Sequence, residues 1–263
     1  MTSFCSAALA GLLLAATPAF AQSPFDGTWK ADAASAKLSA RPDVFAVKGG
    51  TYSCPSCTPG FSVPADGRFH KVAGHPYWDE VSVTVVDPRT LRYINRRGGK
   101  VVGTSTDTLS ADGRTLTSSW TSNDSANGTT TSGTVTETRL GPAAAGAHAL
   151  SGSWRADKVR DMSAASLTVT MKADGNTFGA SFPTGEHYTA TLGGPYVRVI
   201  GDPSGEMIAA KRTGPRTIQL TSMRGGKVDG VSTITIAADG KTGTYSYLNK
   251  LNGATSSYVI RKA

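Results

Sequence analysis

A stretch of thirty residues occurs twice in this chain. "PRTLRYINRRGGKVVGTSTDTLSADGRTLT", Pro88 to Thr117, returns without a gap as "PRTIQLTSMRGGKVDGVSTITIAADGKTGT", Pro215 to Thr244, a shift of 127 residues. The same shift superposes Gly74 and Pro76 on Gly201 and Pro203, while "GTWKAD" from Gly27 returns as "GSWRAD" from Gly152 at a shift of 125. A duplication of this extent admits only folds whose basic unit can be made twice from similar sequence. Between the copies runs "GPAAAGAHAL", Gly141 to Leu150, small and flexible in the manner of a linker.

The unit reads as antiparallel strands. Val81, Val83 and Val85 alternate with Ser82 and Thr84, and Leu167, Val169 and Met171 alternate with Thr168 and Thr170. That period of two marks strands with one buried face. Between such runs stand Gly98-Gly99, Asp112-Gly113, Asn127-Gly128, Asp174-Gly175, Gly225-Gly226, Asp239-Gly240 and Asn252-Gly253. These dipeptides accept the positive φ of two-residue hairpin turns. Hairpins in series form a meander, and closing the meander into a barrel removes its two exposed edges. The expected fold is therefore all-β, with two up-and-down β-barrels in tandem, residues 25–140 and 152–263, joined through 141–151.

Each copy opens on G-x-W, Gly27-Thr28-Trp29 and Gly152-Ser153-Trp154, and each closes on a strand bearing an arginine, Arg139 in "TETRL" and Arg261 in "YVIRKA". This pattern resembles the lipocalin, or calycin, family, and in particular compact lipocalin-like domains of exported bacterial proteins. The resemblance implies that the first-strand tryptophan seals the barrel floor and that an arginine from the last strand lies across it. It also implies a habit of binding small apolar ligands, and no catalytic residues. Trp29, Arg139, Trp154 and Arg261 are accordingly framework candidates. A guanidinium can stack on an indole face while its N–H groups reach carbonyls around the rim.

The chain begins "MTSFCSAALAGLLLAATPAFAQ", an apolar run ending in Ala19-Phe20-Ala21. This reads as a signal peptide, residues 1–21, cleaved near Ala21, so the protein is expected in the periplasm or secreted. Pro18 and the shortness of the run exclude a membrane span. About 240 residues remain, enough for two small β domains. The formal net charge is +8. It gives a basic surface to which anionic envelope polymers could be drawn, although no dense basic run appears. The sequence does not define an oligomeric state.

"CPSCTPGFSVPADGRFHKVAGH", Cys54 to His75, has the spacing C-x₂-C-x₁₂-H-x₄-H. A zinc finger would need a helix carrying both histidines. Pro59, Gly60, Pro64, Gly67 and Gly74 fall where that helix would lie, and proline alone costs about 3 kcal/mol within a helix. A nucleic-acid reader is thereby excluded. Three readings stay open. Cys54 and Cys57 sit at the corners of a turn led by Pro55, close enough for a disulfide in an oxidising compartment. Cys54, Cys57, His70 and His75 supply the ligand types of a loop-borne zinc site. Cys-Pro-Ser-Cys also resembles the thioredoxin-type motif, although no helix start or βαβ pattern surrounds it.

"GHPYWDE", Gly74 to Glu80, is the other cluster of interest. Extended, it would place His75, Tyr77 and Asp79 on one face with Trp78 and Glu80 on the other. No nucleophile in a strained elbow accompanies it, so acid–base catalysis lacks a partner. At a barrel mouth, His75, Tyr77, Trp78 and Asp79 would suit a small ligand instead. The expected function is non-enzymatic binding of a small apolar or amphipathic molecule. The alternatives are a metal-binding or redox-active accessory protein, and an envelope protein that binds anionic polymer.

Overall fold

The computed structural model describes residues 23–263. The expected leader, with its cleavage signal and Cys5, lies outside the described residues. The regular structure of the rest is almost entirely strand, arranged as two antiparallel sheets of ten strands, each curled into a nearly closed barrel.

The first sheet runs in space from Phe61–Pro64 through Thr51–Cys54 and Asp43–Lys48 to Gly152–Arg160. It continues through Thr131–Gly141, Thr115–Ser122, Lys100–Leu109, Thr90–Arg97 and Glu80–Asp87 to Asp66–Lys71. Its two end strands are neighbours in sequence, joined at Ala65, whose N–H donates to the Gly50 carbonyl at 2.8 Å. The second sheet runs from His187–Thr191 through Thr177–Ser181 and Thr168–Asp174 to Gly27–Lys37. It continues through Thr255–Lys262, Thr242–Asn249, Lys227–Ile236, Thr217–Arg224 and Met207–Gly214 to Val197–Arg198. Bridges from His187 to Ile200 and from Leu192 to Ala210 draw its ends together.

The two opening strands are exchanged. Gly27–Lys37, first in the chain, pairs with Thr168–Asp174 and Thr255–Lys262 in the second sheet. Gly152–Arg160, which opens the second repeat, pairs with Thr131–Gly141 and Asp43–Lys48 in the first. Each sheet therefore borrows one strand from across the 141–151 boundary, and the sheets do not follow the two sequence spans strand for strand.

The duplication persists in fine detail. Register breaks at Val85/Asp87 and Asn95/Arg96 recur at Arg212/Gly214 and Ser222/Met223, the same shift of 127. The Gly98-Gly99 turn, at φ 53° and 79°, recurs as Gly225-Gly226 at 54° and 76°. Both residues lie in the left-handed region that a type I′ hairpin demands. Each opening tryptophan is fully buried, and its indole N–H donates to the carbonyl four residues earlier: Trp29 to Phe25 at 2.8 Å, Trp154 to Leu150 at 2.9 Å.

The cation above each indole follows register. Arg139 lies directly across from Trp154, with its guanidinium carbon 4.1 Å from the ring centroid. Its nitrogens donate to the carbonyls of Gly113, Ala149 and Ser151 at 2.7, 2.6 and 2.9 Å. Across from Trp29 stands Lys262, not Arg261, with its ammonium 5.7 Å from the ring. Since neighbouring strand residues point to opposite faces, Arg261 turns outward and meets Asp32 at 3.3 Å. The arginine cap expected of both barrels is thus present in the first, over the tryptophan of the opposite repeat, and replaced by lysine in the second.

The interiors differ although the repeats align. Val81, Val83, Leu91, Tyr93, Asp107 and Leu109 are buried in the first barrel, and so are their counterparts Ile208, Ala210, Ile218, Leu220, Ile234 and Ile236 in the second. The second barrel carries Leu220 in place of Tyr93 and Ala210 in place of Val83. In the first barrel the rings of Tyr93 and Tyr52 meet edge to face at 5.5 Å, and Tyr52 in turn meets Phe45 and Phe61. Leucine at the equivalent place leaves space unfilled.

Candidate functional site

That space is a cavity of about 790 Å³ in the second barrel. Its walls are apolar: Met171, Ala180, Ile208, Leu220, Ile234 and Ile260 all face it. Tyr245 and Tyr258 stack along one side with centroids 4.9 Å apart, and the Tyr245 hydroxyl meets Ser232 Oγ at 2.7 Å. A volume of this size, apolar within and bearing a few convergent polar groups, suits one small organic molecule.

Both repeats build the mouth. Tyr77, Trp120, Asp124 and Ser125 come from the first, and Glu186, Asp202, Glu206 and Arg224 from the second. Between them, Met162 and the short helix Ala164–Leu167 cross the rim. Arg224 organises one side. Its Nη2 donates to the Tyr77 hydroxyl at 2.8 Å and meets Glu206 at 3.0 Å, its Nε donates to Ser204 at 2.8 Å, and its Nη1 pairs with Asp229. The Tyr77 hydroxyl then donates to Asp202 Oδ2 at 3.3 Å. Burial pushes the Tyr77 phenol up to about 12, which keeps its proton in place for that bond.

Arg97, the residue that aligns with Arg224, reaches in the opposite direction. It donates to the Pro203 carbonyl and lies 3.9 Å from Asp124. Two repeat-related arginines therefore stitch the barrels together across the mouth, in the quasi-symmetric way expected of two copies of one unit.

Of the four ligand candidates in "GHPYWDE", only Tyr77 lines the cavity. The segment is not a strand: regular pairing begins at Glu80. Gly74 at φ 81° and the following Pro76 turn the chain, so the face assignment made for an extended segment does not hold. His75 stacks on Trp78 at 4.1 Å, and both rings stand nearly perpendicular to Phe61. Asp79 accepts from the Gly98 N–H at 3.0 Å and so holds a hairpin turn.

The cysteine and histidine candidates separate likewise. Cys54 and Cys57 form a disulfide, and Ser56 between them is pinned to the backbone of Val44. His70 pairs with Asp66 at 2.8 Å, away from His75 on its Trp78 stack. Among the described residues, no group of three or more His, Cys, Asp or Glu side chains could hold a metal ion. Cys54 ends a strand rather than preceding a helix, so the dipole that activates a thioredoxin-type thiol is not in place.

The cavity residues of the second repeat escaped the sequence reading because they look like ordinary core. The signal lay in comparing the repeats at inward positions, where Tyr93 becomes Leu220 and Asp107 becomes Ile234. No protein-family model matches this chain, and no curated protein does. Fold and site together define a pair of strand-exchanged β-barrels, one of them hollow. Among the described residues, no helix is long and apolar enough to cross a membrane.

Proposed function

We propose that this is an exported, lipocalin-like binding protein that holds one small apolar or amphipathic molecule in its second barrel by non-covalent contact. The observation that carries the reading is the cavity of about 790 Å³, walled by aliphatic and tyrosine side chains and opening at a polar mouth. The doubled G-x-W strand and the Arg139 cap on Trp154 support the lipocalin likeness. The first barrel, on this reading, serves as a filled partner that furnishes one wall of the mouth through Tyr77 and Trp120.

The test is a titration with N-phenyl-1-naphthylamine, whose emission rises in apolar surroundings. Saturable binding at one site per chain is expected, with quenching of tryptophan emission that weakens in Trp120→Phe. A linear, non-saturating response over a panel of lipophilic probes would refute the reading.

A further inference from the structure

The mouth of the cavity carries charge of the opposite sign to the molecule as a whole. The chain has a formal net charge of +8, yet the rim carries four carboxylates, Asp124, Glu186, Asp202 and Glu206, against two arginines, Arg224 in the lining and Arg97, which lies 3.9 Å from Asp124. Arg224 is not free to receive an anion. Each of its three nitrogens is already engaged, with Ser204, with Asp229, and with Glu206 and Tyr77. An anionic head group entering here would meet carboxylates and a guanidinium with four of its five N–H groups already directed at protein oxygens.

The carboxylates, in contrast, retain acceptor capacity. Asp124 Oδ2 is buried without a hydrogen-bond partner. Glu206 uses Oε1 for Arg224, which leaves Oε2 uncommitted. Asp202 is more fully used: Oδ1 takes the N–H groups of Ser204 and Glu206, and Oδ2 takes the Tyr77 hydroxyl. Glu186 holds the Ala126 N–H through one oxygen. A desolvated carboxylate with an unspent oxygen is costly unless a cation or donor arrives. Burial first, with neighbouring acids adding to it, raises the Asp124 and Glu206 carboxyls from their ordinary values, even with Arg97 and Arg224 opposing. Trp120 adds an aromatic ring at the same rim, whereas Tyr77 already carries the Arg224 guanidinium over its ring at 5.4 Å, and ring faces attract organic cations.

From this arrangement we infer that the ligand is an amphipathic cation, its apolar body in the second barrel and an ammonium-type group at the acidic rim to which Asp124 and Glu206 belong. The inference rests on the binding reading above and narrows it to one chemical class. A protonated amine in the mouth would donate to the open oxygens and relieve the mutual repulsion of the acids, while its chain would cover Leu220, Ile234 and Met171.

The experiment displaces bound N-phenyl-1-naphthylamine with three probes of equal chain length: decylamine, decanol and decanoate, each below its aggregation limit at pH 7. Decylamine is expected to compete at least tenfold more tightly than decanoate, against the pull of the protein's own positive charge. That preference should shrink severalfold in Glu206→Gln and in Asp124→Asn, two separate variants whose folding is checked by thermal melting. Equal or tighter binding of decanoate or decanol would overturn the cation inference and leave the pocket reading standing. An undiminished preference in both variants would overturn the assigned position of the charge. Failure of the fluorescent probe and all three competitors to bind would remove both readings together.

Discussion

Arg139 covers the indole of Trp154 at 4.1 Å, although the two residues belong to different copies of the repeat. The contact exists because the strand opening the second copy completes the first barrel. Arg139 also closes three backbone carbonyls at the barrel floor. Arg139→Ala should therefore destabilise the protein by about 2 kcal/mol, combining a cation–π contact with hydrogen bonds from a charged donor. Lys262 lies 5.7 Å from Trp29, and Lys262→Ala should cost about 1 kcal/mol or less. Urea unfolding of the two variants would check the ranking, and equal losses would show that the two caps are equivalent.

Strand exchange makes the halves inseparable without unfolding. A chain cut between Ala144 and Gly146 leaves an N-terminal piece whose strand Gly27–Lys37 lies in the second sheet, and a C-terminal piece whose strand Gly152–Arg160 lies in the first. A protease site inserted there should be cleaved with no change in native size-exclusion volume, and two fragments should appear only in denaturant. Release of either fragment under native conditions would contradict the exchange.

The exchange was not legible in the sequence, for a physical reason. The G-x-W strands carry the same pattern, "GTWKAD" and "GSWRAD", so either could complete either barrel. The choice depends on the reach of the connection and not on local preference. The two-residue hairpins at Gly98-Gly99 and Gly225-Gly226 were legible because paired glycines leave the backbone few other solutions. Asp112-Gly113, Asn127-Gly128, Asp239-Gly240 and Asn252-Gly253 instead lie in longer loops, and Gly175-Asn176 make the turn expected of Asp174-Gly175. The Arg261 assignment missed by one residue, and with a period of two, one residue reverses the face. "GHPYWDE" failed as a strand because Gly74 and Pro76 outweigh its aromatic content. Hollow against filled was encoded, but only in the comparison of Tyr93 with Leu220, which needs the inward face to be known first.

Glu137 lies inside the first barrel, 9% exposed, with Oε2 lacking a partner. Burial, then the nearby Asp43, Asp107 and Asp157, raises its carboxyl from the ordinary 4.5 to about 7. The folded protein thus holds this proton more tightly than the unfolded chain. The resulting stabilisation is complete below about pH 4.5 and is lost as pH rises through about 7. Glu137→Gln keeps the shape and removes the ionisation. Its melting temperature should match that of the wild type near pH 4.5 and exceed it at pH 8; a constant difference across that range would dismiss the linkage.

The Cys54–Cys57 disulfide spans a sequence separation of three. So small a ring constrains the unfolded chain weakly, and its loss should cost about 2 kcal/mol or less. Cys54 belongs to the core of the first barrel, whereas the cavity belongs to the second. Replacement of both cysteines by serine should accordingly lower the denaturation midpoint slightly and leave the affinity for N-phenyl-1-naphthylamine unchanged. A large fall in affinity would show that the disulfide supports the site as well as the fold.

The cavity can be tested by filling it. Ala180 and Leu220 both face the space, and the first barrel shows what a larger group does there, since Tyr93 occupies the place of Leu220 and packs on Tyr52. Ala180→Leu with Leu220→Phe adds apolar volume where the wall now meets a void. In a filled core such enlargement forces side chains off their rotamers and costs about 1–3 kcal/mol, whereas in a real cavity the added groups gain contacts that the wall lacked. The double variant should keep or raise the melting temperature while its affinity for N-phenyl-1-naphthylamine falls at least tenfold. A marked loss of stability would mean that the barrel is already packed, and unchanged affinity would place the probe outside it.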